Sequence, residues 1–268
     1  MSAHAVGGCV RDWRLGIAET VDLDVAIEGD GIAMASAAAR ALGGTITTHQ
    51  QFGTATVVIR PAASRPPRAR RGSVPSVRID FATCRKETYA KPAAYPKVAA
   101  GTLEEDLLRP DFTINAMAMA LTPGCFGLLI DPFGGARDLR ERRLRILHPR
   151  SFVDDPSRIL RGMRFAQRFG LRWERRTKRA ARDAMTAGAL GWLNAGRLQR
   201  ECDLMAHEPT PRGCLAQLAV FLGVPVEPSM TTAALMEGCR RRIEGLRASH
   251  PRPAIGENIQ HGHRRPAG

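Results

Sequence analysis

Two aspartates one residue apart, Asp22 and Asp24 in VDLDVAIEGD (21–30), are the side chains of this chain best suited to chemistry. Residues two apart in a strand point to the same face, so the carboxylates aim together from roots roughly 7 Å apart. Two carboxylates that close repel each other, and burying them is costly. A divalent cation removes that cost. Mg²⁺ suits such a pair, because it keeps waters and binds one or two carboxylates together with substrate phosphates. Taken alone, the pair fits two solvated aspartates on an edge strand equally well. Gly7 and Gly8 tip the balance, because they stand just before the predicted short helix CVRDWRLG. Two glycines let backbone approach a ligand closely, and a helix N-terminus offers N–H groups to a phosphate. A Gly-Gly turn, a short helix and an Asp-x-Asp strand together place a triphosphate cradle beside a metal pair. That is a layout for metal-assisted nucleotidyl transfer.

A second group lies in DDPSR. Asp155 and Arg158 are three apart at a helix start, so both can face one ligand. Cytosine and adenine each show an exocyclic amine beside a ring-nitrogen acceptor. Asp155 can accept from the amine and Arg158 can donate to the ring nitrogen. Uracil and guanine present a carbonyl and a ring N–H there, a buried mismatch that discriminates strongly. On its own the stretch also reads as a helix cap followed by a surface arginine.

These side chains need a mixed α+β scaffold. VDLDVAIEG, TATVVIR and VRIDFATC read as strands, the last with period-two alternation, and FGLLIDPFGG as a short strand ending in a turn. GIAMASAAARALGG is an Ala-rich helix with a Gly stop. DFTINAMAMALT fits a strand or a helix. Asp80 in VRIDF is either a third carboxylate near the metals or a structural strand residue. PAASRPPRARRGSVPS, placed at 61–76, is rich in Pro, Arg and Ser and is expected to be a disordered or hairpin-tip loop insertion. The head is expected over 1–138, a helical neck and short body over 139–248, and a disordered tail over 249–268. In DDPSRILRGMRFAQRFG, Ile159, Met163 and Ala166 line one face with Leu160 near its edge, while Arg158, Arg161, Arg164 and Arg168 cluster on another side. AGRLQRECDLMA, PRGCLAQLAVFLG and TTAALMEGCRRRIEGLRA are further predicted helices.

The 268 residues suffice for one large domain or two modest ones. Net charge is +14, and every basic residue except Lys86, Lys91, Lys97 and Lys178 is Arg. Such an excess suits phosphate, which the guanidinium fork pairs in two places, and points to a polyanionic partner. A bias toward Arg codons would give the same composition. The six cysteines form no CxxC pair and no Cys/His ligand spacing, so buried free thiols are expected in place of disulfides or zinc. No apolar run is long enough to cross a bilayer, and MSAHAVGGCVRD lacks the basic start and apolar core of a signal peptide. A cytoplasmic protein with no membrane contact and no stable protein partner is expected.

GGCVRDWRLG followed by DLDVAIEGD closely resembles the opening motif of class II CCA-adding tRNA nucleotidyltransferases and bacterial poly(A) polymerases. The resemblance continues in order. DFATCRKETYAKPAAYPKV is similar to the family's second strand and flexible loop, and GTLEEDLLRPDFTINAMAMAL to its ribose-selecting motif. DPFGGARDLRERRLRIL resembles its hinge segment, SFVDDPSRILRGMRFAQRFG its base-reading motif, and AGRLQRECDLM a later helix motif. Together these span about residues 6 to 205. The resemblance implies a polymerase-β-type head with a helical neck and body, Mg²⁺ as cofactor, ATP and CTP as substrates and a tRNA or other RNA 3′ end as partner. It implies metal ligation by Asp22 and Asp24, phosphate or nucleotide contacts from Gly7, Gly8, Arg11 and Arg109, and ribose contacts from Asp111 and Asn115. Asp12 would cap or brace the phosphate turn. Base reading would fall to Asp154, Asp155, Arg158 and Arg161, with Asp154 where the family usually has Glu. Arg164, Arg175, Arg176, Lys178 and Arg179 would grip RNA backbone, a role open to Arg182 too.

The sequence departs from the family in three places. Two consecutive arginines are usual in the ribose motif, but here they are Arg109 and Pro110, which removes a cation and a backbone N–H. Only MSAHAV precedes the glycines, so the strand expected there is expected to be lost, exposing a sheet edge. Two or three helices are expected after residue 205, in place of a longer tRNA-holding body. The expected activity is addition of CMP and AMP to tRNA. An ATP-only adenylating enzyme and an inactive RNA-binding remnant are the alternatives.

Overall fold

The computed structural model describes residues 1–17, 22–60, 76–88 and 97–250. The insertion at 61–75, the greater part of the family-like loop and the tail from 251 onward lie outside these residues. The head begins with β1 (Ser2–Val6), α1 (Gly8–Arg14), β2 (Asp22–Glu28) and α2 (Gly31–Leu42). Next come β3 (Thr45–His49), β4 (Thr54–Ile59), β5 (Val77–Thr83) and a two-stranded ribbon of β6 (Arg85–Thr88) and β7 (Lys97–Ala100). The main sheet runs β3-β4-β5-β2-β1-β8-β9, with β8 at Ala118–Ala120 and β9 at Leu129–Ile130. It is antiparallel except where β2 pairs in parallel with β5.

Side-chain alternation gives this sheet two different faces. Val25, Ile27, Ala55, Val57, Ile79 and Phe81 pack against Ala35 and Ala39 of α2. Asp30 caps α2 by accepting from the Ile32 and Ala33 N–H groups, and Gly43 ends it at φ 64°. Asp22, Asp24, Arg78 and Asp80 therefore fall on the other face.

The structure corrects the expectation of a lost strand. Ser2–Val6 forms β1, which lies inside the sheet, paired on one side with β2 and on the other with β8. Six residues suffice because a strand needs little length to saturate two neighbours. DFTINAMAMALT divides between the two readings, with a 3-10 turn at Thr113–Asn115 followed by β8.

The connection to the neck runs through α3 (Leu103–Asp106), α4 (Gly135–Arg140), β10 (Arg143–Leu144) and α5 (Ser151–Asp154). Then follow α6 (Ser157–Arg168), β11 (Arg172–Trp173), α7 (Arg175–Thr186), α8 (Ala195–Ala206), α9 (Pro211–Leu222) and α10 (Thr232–Ser249). The core does not stop at residue 138. One cluster of buried side chains runs from Ala5 and Val10 through Phe112, Met117 and Leu160 to Leu246. Leu160 is fully buried, not at the edge of its face. Cys125 is exposed, against the expectation of buried thiols, while the other five cysteines are buried.

Gly162 is where α6 meets the aromatic part of this core. A Cβ there would lie 2.6 Å from the Trp173 ring and 2.8 Å from Phe112. Phe112 itself packs edge-on to Trp173 and Phe165. Gly162→Val is expected to destabilise the fold by about 1–3 kcal/mol through overpacking, despite its better helix propensity. A thermal melt reads this, and an unchanged melting temperature would contradict the tight packing.

Candidate active site

The open face of the sheet, α1, the segment 106–115 and α6 enclose a cavity of about 740 Å³. Its wall includes Gly7, Gly8, Asp24, Asp80, Arg109, Asp111 and Arg161. A second cavity, about 480 Å³, shares Arg109, Pro110, Asp111 and Arg161 with the first and adds Asp155, Ser157, Arg158, Arg197, Arg200, Glu201 and Leu204.

Gly7 sits at φ 73°, ψ −128°, a conformation open to glycine but not to ordinary L-residues. This turns the chain from β1 directly into α1. Gly8 is a different case, because a Cβ there would only touch the Arg11 guanidinium at 3.5 Å. Its value is the close approach it leaves open on the cavity side.

Asp22 and Asp24 share a face of β2, and the parallel register sets Asp24 beside Asp80 and Asp22 beside Arg78. Desolvation and the negative charges of Asp80 and Asp22 push the Asp24 carboxyl above the usual carboxylate range, with Arg78 offsetting part of the rise. Asp80 is the most restrained of the three. Its carboxylate accepts from Thr56 Oγ1 at 2.5 Å and is paired with Arg78 at 3.0 Å. Among the described residues no group of three or more His, Cys, Asp or Glu stands ready as a metal cluster. The donor set nevertheless fits Mg²⁺. Asp22 and Asp24 supply two hard oxygen donors on one strand face whose mutual repulsion a cation relieves; Asp24 borders the cavity, which has room for phosphate oxygens and waters, and Asp22 lies just outside its wall.

A buried chain of hydrogen bonds joins the turn to the neck. Arg11 donates to Asp12 from Nε at 2.9 Å and to Asn115 Oδ1 from Nη1 at 2.7 Å. Phe169 and Phe165 flank its guanidinium at 4.5 and 5.4 Å. Asn115 Nδ2 donates to Asp111 Oδ1 at 2.8 Å, and Arg161 Nε donates to Asp111 Oδ2 at 2.5 Å. Burial opposes ionisation of Asp111, but Arg161, Asn115 and Arg158 outweigh it and hold the carboxyl below its usual range. Asp12 thus braces the turn by gripping Arg11. Asp111 and Asn115 border the nucleotide-sized space but spend most of their hydrogen-bonding capacity on each other, Arg11 and Arg161.

Arg109 pairs with Asp106 at 2.6 Å, and its carbonyl accepts from Arg158 Nη2 at 3.0 Å. Arg158 also donates to Ser151 Oγ at 2.8 Å. Asp155 and Arg158 do line one cavity, as the spacing predicts. Asp154 does not join them. It faces Arg150 at 3.4 Å and His148 at 3.9 Å, and borders neither cavity.

The cations expected to grip RNA divide. Arg175, Arg176, Lys178 and Arg179 are exposed along α7, as is Arg182. Arg164 is buried, paired with Glu208 at 2.8 Å and Glu201 at 3.3 Å, so it acts inside the neck and not on RNA. A helical wheel built on α6 alone groups it with Arg161 and Arg168 because it omits α8 and the segment after it. Two site residues escape sequence reasoning altogether. Arg78 holds Asp80, and Arg197 reaches Asp155 at 2.6 Å. Arg197 stands within AGRLQRECDLM, so that motif was the available signal.

Comparison with known proteins agrees with this geometry. The family described as poly A polymerase head domain matches residues 3–145. An A-adding tRNA nucleotidyltransferase of Aquifex aeolicus is 42% identical over 208 residues, covering 78% of this chain and 23% of its own. One from Halalkalibacterium halodurans is 39% identical, covering 81% and 48%. A CC-adding tRNA nucleotidyltransferase of Deinococcus radiodurans is 34% identical, covering 77% and 50%. The chain thus spans about a quarter to a half of these relatives. Among solved structures, a CCA-adding enzyme in an apo form superposes with TM-score 0.73 at 42% identity, covering 82% of this chain and 48% of that one. A tRNA nucleotidyltransferase complexed with a primer tRNA and an incoming ATP analog gives 0.69 at 37%, covering 82% and 57%.

Proposed function

From the premise that this chain belongs to the poly A polymerase head domain family, we propose that it transfers nucleoside monophosphates from CTP and ATP to the 3′ end of a tRNA. The observation that carries the proposal is the shared wall between the two cavities. It has Asp24 and Asp80 of the sheet on one side and Asp155 with Arg158 on the other.

The RNA 3′-hydroxyl gives up its proton to solvent as its oxygen forms a bond to the α-phosphorus, the bond from that phosphorus to the bridging β-phosphate oxygen breaks, and pyrophosphate leaves. Asp22 and Asp24 would hold Mg²⁺, which when bound would supply Lewis-acid stabilisation of the developing charge and lower the pKa of the attacking hydroxyl. The turn at Gly7 and Gly8 brings backbone close to the triphosphate. Asp80, anchored by Arg78 and Thr56, adds to the negative potential that draws a cation to Asp24. Arg11, Asn115, Asp111 and Arg161 hold the phosphate turn and the base-reading helix in fixed relation. Arg109 stays at the shared wall as the cation remaining from the usual pair, and Pro110 leaves that wall one donor poorer. Asp155 accepts from the exocyclic amine of cytosine or adenine, and Arg158 donates to the ring nitrogen. The exposed cations of α7 supply RNA backbone contact.

A second reading, AMP addition alone, is favoured by a specific observation. The relatives matched over 208–221 residues at 39–42% identity carry A-adding names, against 34% over 206 residues for the CC-adding relative, whereas the multifunctional CCA proteins at 39–42% match over only 113–145 residues. The test is a product ladder on tRNA ending before CCA, with CTP and ATP supplied separately and together. Two C and one A would support the first reading, and A alone on a CC-ended tRNA the second. No product from folded protein would overturn both and leave RNA binding without catalysis.

A further inference from the structure

We infer that Arg197 is a positioning residue that excludes guanine by occupying one oxygen of Asp155. The inference rests on the base-reading role proposed above for Asp155 and adds to it a residue from another helix. Asp155 Oδ1 accepts three hydrogen bonds, from the Ser157 backbone N–H at 3.1 Å, Ser157 Oγ at 2.6 Å and Arg197 Nη2 at 2.6 Å. Oδ2 accepts none among the described residues. Asp155, Ser157, Arg158 and Arg197 all border the same cavity. The carboxylate therefore offers a ligand one acceptor, not two.

That distinction matters for the choice of base. A carboxylate with both oxygens open accepts two parallel donors. Adenine and cytosine present one amine beside an acceptor nitrogen. Guanine presents a ring N–H beside an amine, and that pair of adjacent donors fits an open carboxylate in two places. With Oδ1 filled, one guanine donor meets an oxygen whose lone pairs are spent and stays unpaired, at the cost of a buried unsatisfied group. Discrimination built by blocking a competitor acts beside the discrimination built by pairing the right base.

The fold holds Arg197 for this task. It lies 42 residues from Asp155, on the first turn of α8. Asn194 caps that turn by accepting the Arg197 N–H at 2.8 Å. The same Nη2 also reaches Ser157 Oγ at 3.1 Å, so one donor group spans both partners of the carboxylate. Buried Glu201, one turn further along α8, is paired with Arg164 of α6 at 3.3 Å and so ties the two helices together.

The test is equilibrium binding of ATP and GTP to the whole chain, alongside incorporation from each. Arg197→Met is expected to lower the preference for ATP over GTP on the order of tenfold, the worth of one charge-assisted hydrogen bond. Arg197→Lys, which keeps a donor for Oδ1, is expected to restore most of it. Ser157→Ala removes another donor from the same oxygen and is expected to shift the ratio the same way by less, which keeps the test open if Arg197→Met fails to fold. An equal loss for ATP and GTP, or an unchanged ratio in every variant, would overturn the inference. So would a wild-type chain with no preference for ATP over GTP. A chain that binds ATP selectively but transfers nothing would sink the transfer reaction and leave the role of Arg197 to be read from binding.

Discussion

Asp24→Asn is expected to reduce nucleotide transfer by about three orders of magnitude, the worth of several kcal/mol of stabilisation of developing charge. The substitution keeps the shape of the side chain and removes its charge. It takes away one of two strand carboxylates aimed at the same space and leaves Asp22 and Asp80, the latter already held by Arg78 and Thr56. The same change is expected to stabilise the protein at neutral pH. The Asp24 carboxyl is pushed above its usual range by desolvation and by Asp80 and Asp22. The folded state therefore binds a proton there more readily than the unfolded state does. The sign follows: stability tied to Asp24 is fully present below the usual carboxylate range and declines as pH rises through the raised value. Asn carries no charge to be penalised, so the variant should gain over wild type at pH 8 and not at pH 4. Asp24 borders an open cavity that water reaches, so solvent screening keeps the gain small. Paired thermal melts at the two pH values without Mg²⁺, beside a single-turnover assay with it, measure both effects. Full activity in Asp24→Asn would remove Asp24 from the chemistry. A variant less stable than wild type at pH 8 would show that like-charge repulsion is not the governing force.

The second large effect lies away from the cavities. Glu208→Ala is expected to cost about 3–5 kcal/mol of stability, because it strands a buried guanidinium. The Glu208 side chain is 1% exposed. It accepts from Arg164 Nε at 2.8 Å and from Arg168 Nε and Nη2 at 2.7 and 2.8 Å. Arg164 keeps only the 3.3 Å contact with Glu201, whose own carboxyl is pushed up by burial, with Arg161 and Arg164 offsetting part of the rise. A fall in melting temperature on the order of 10 °C would follow for a chain of this size. The double substitution Arg164→Met, Glu208→Leu should recover part of the loss, since it leaves no stranded guanidinium at position 164, while Glu201 gives up its Arg164 partner. A drop of only a degree or two in Glu208→Ala would mean that water reaches Arg164 and that the cluster is not a buried one.

Much of the site is legible in the residues because its geometry is local. The one-residue spacing of Asp22 and Asp24 puts them on one face whatever the sheet around them. Gly7 is needed wherever the chain turns at φ 73° into a helix. Asp155 and Arg158 share a helix start and line the same cavity. The helices of the neck follow from apolar spacing and from caps such as Asn194 and Thr231, both of which accept the N–H three residues on.

What the residues leave open depends on segments far apart in the chain. MSAHAV carries too few residues for its pattern to identify a strand, and β1 exists because β2 and β8 saturate it from either side. Arg164 and Arg179 look alike on a helical wheel, yet Glu208, 44 residues from Arg164, buries one while the other faces water. Asp111 and Asn115 read as sugar contacts, and only the approach of Arg11 and Arg161 turns them into braces. The sequence by itself determined the family, the strand pair of aspartates and the common placement of Asp155 and Arg158 at a helix start, because spacing along a regular element dictates direction. Tertiary structure alone decided which charges are spent on one another and which stay open to a ligand. That outcome is set by electrostatic partners that meet only when the sheet and the neck share one core.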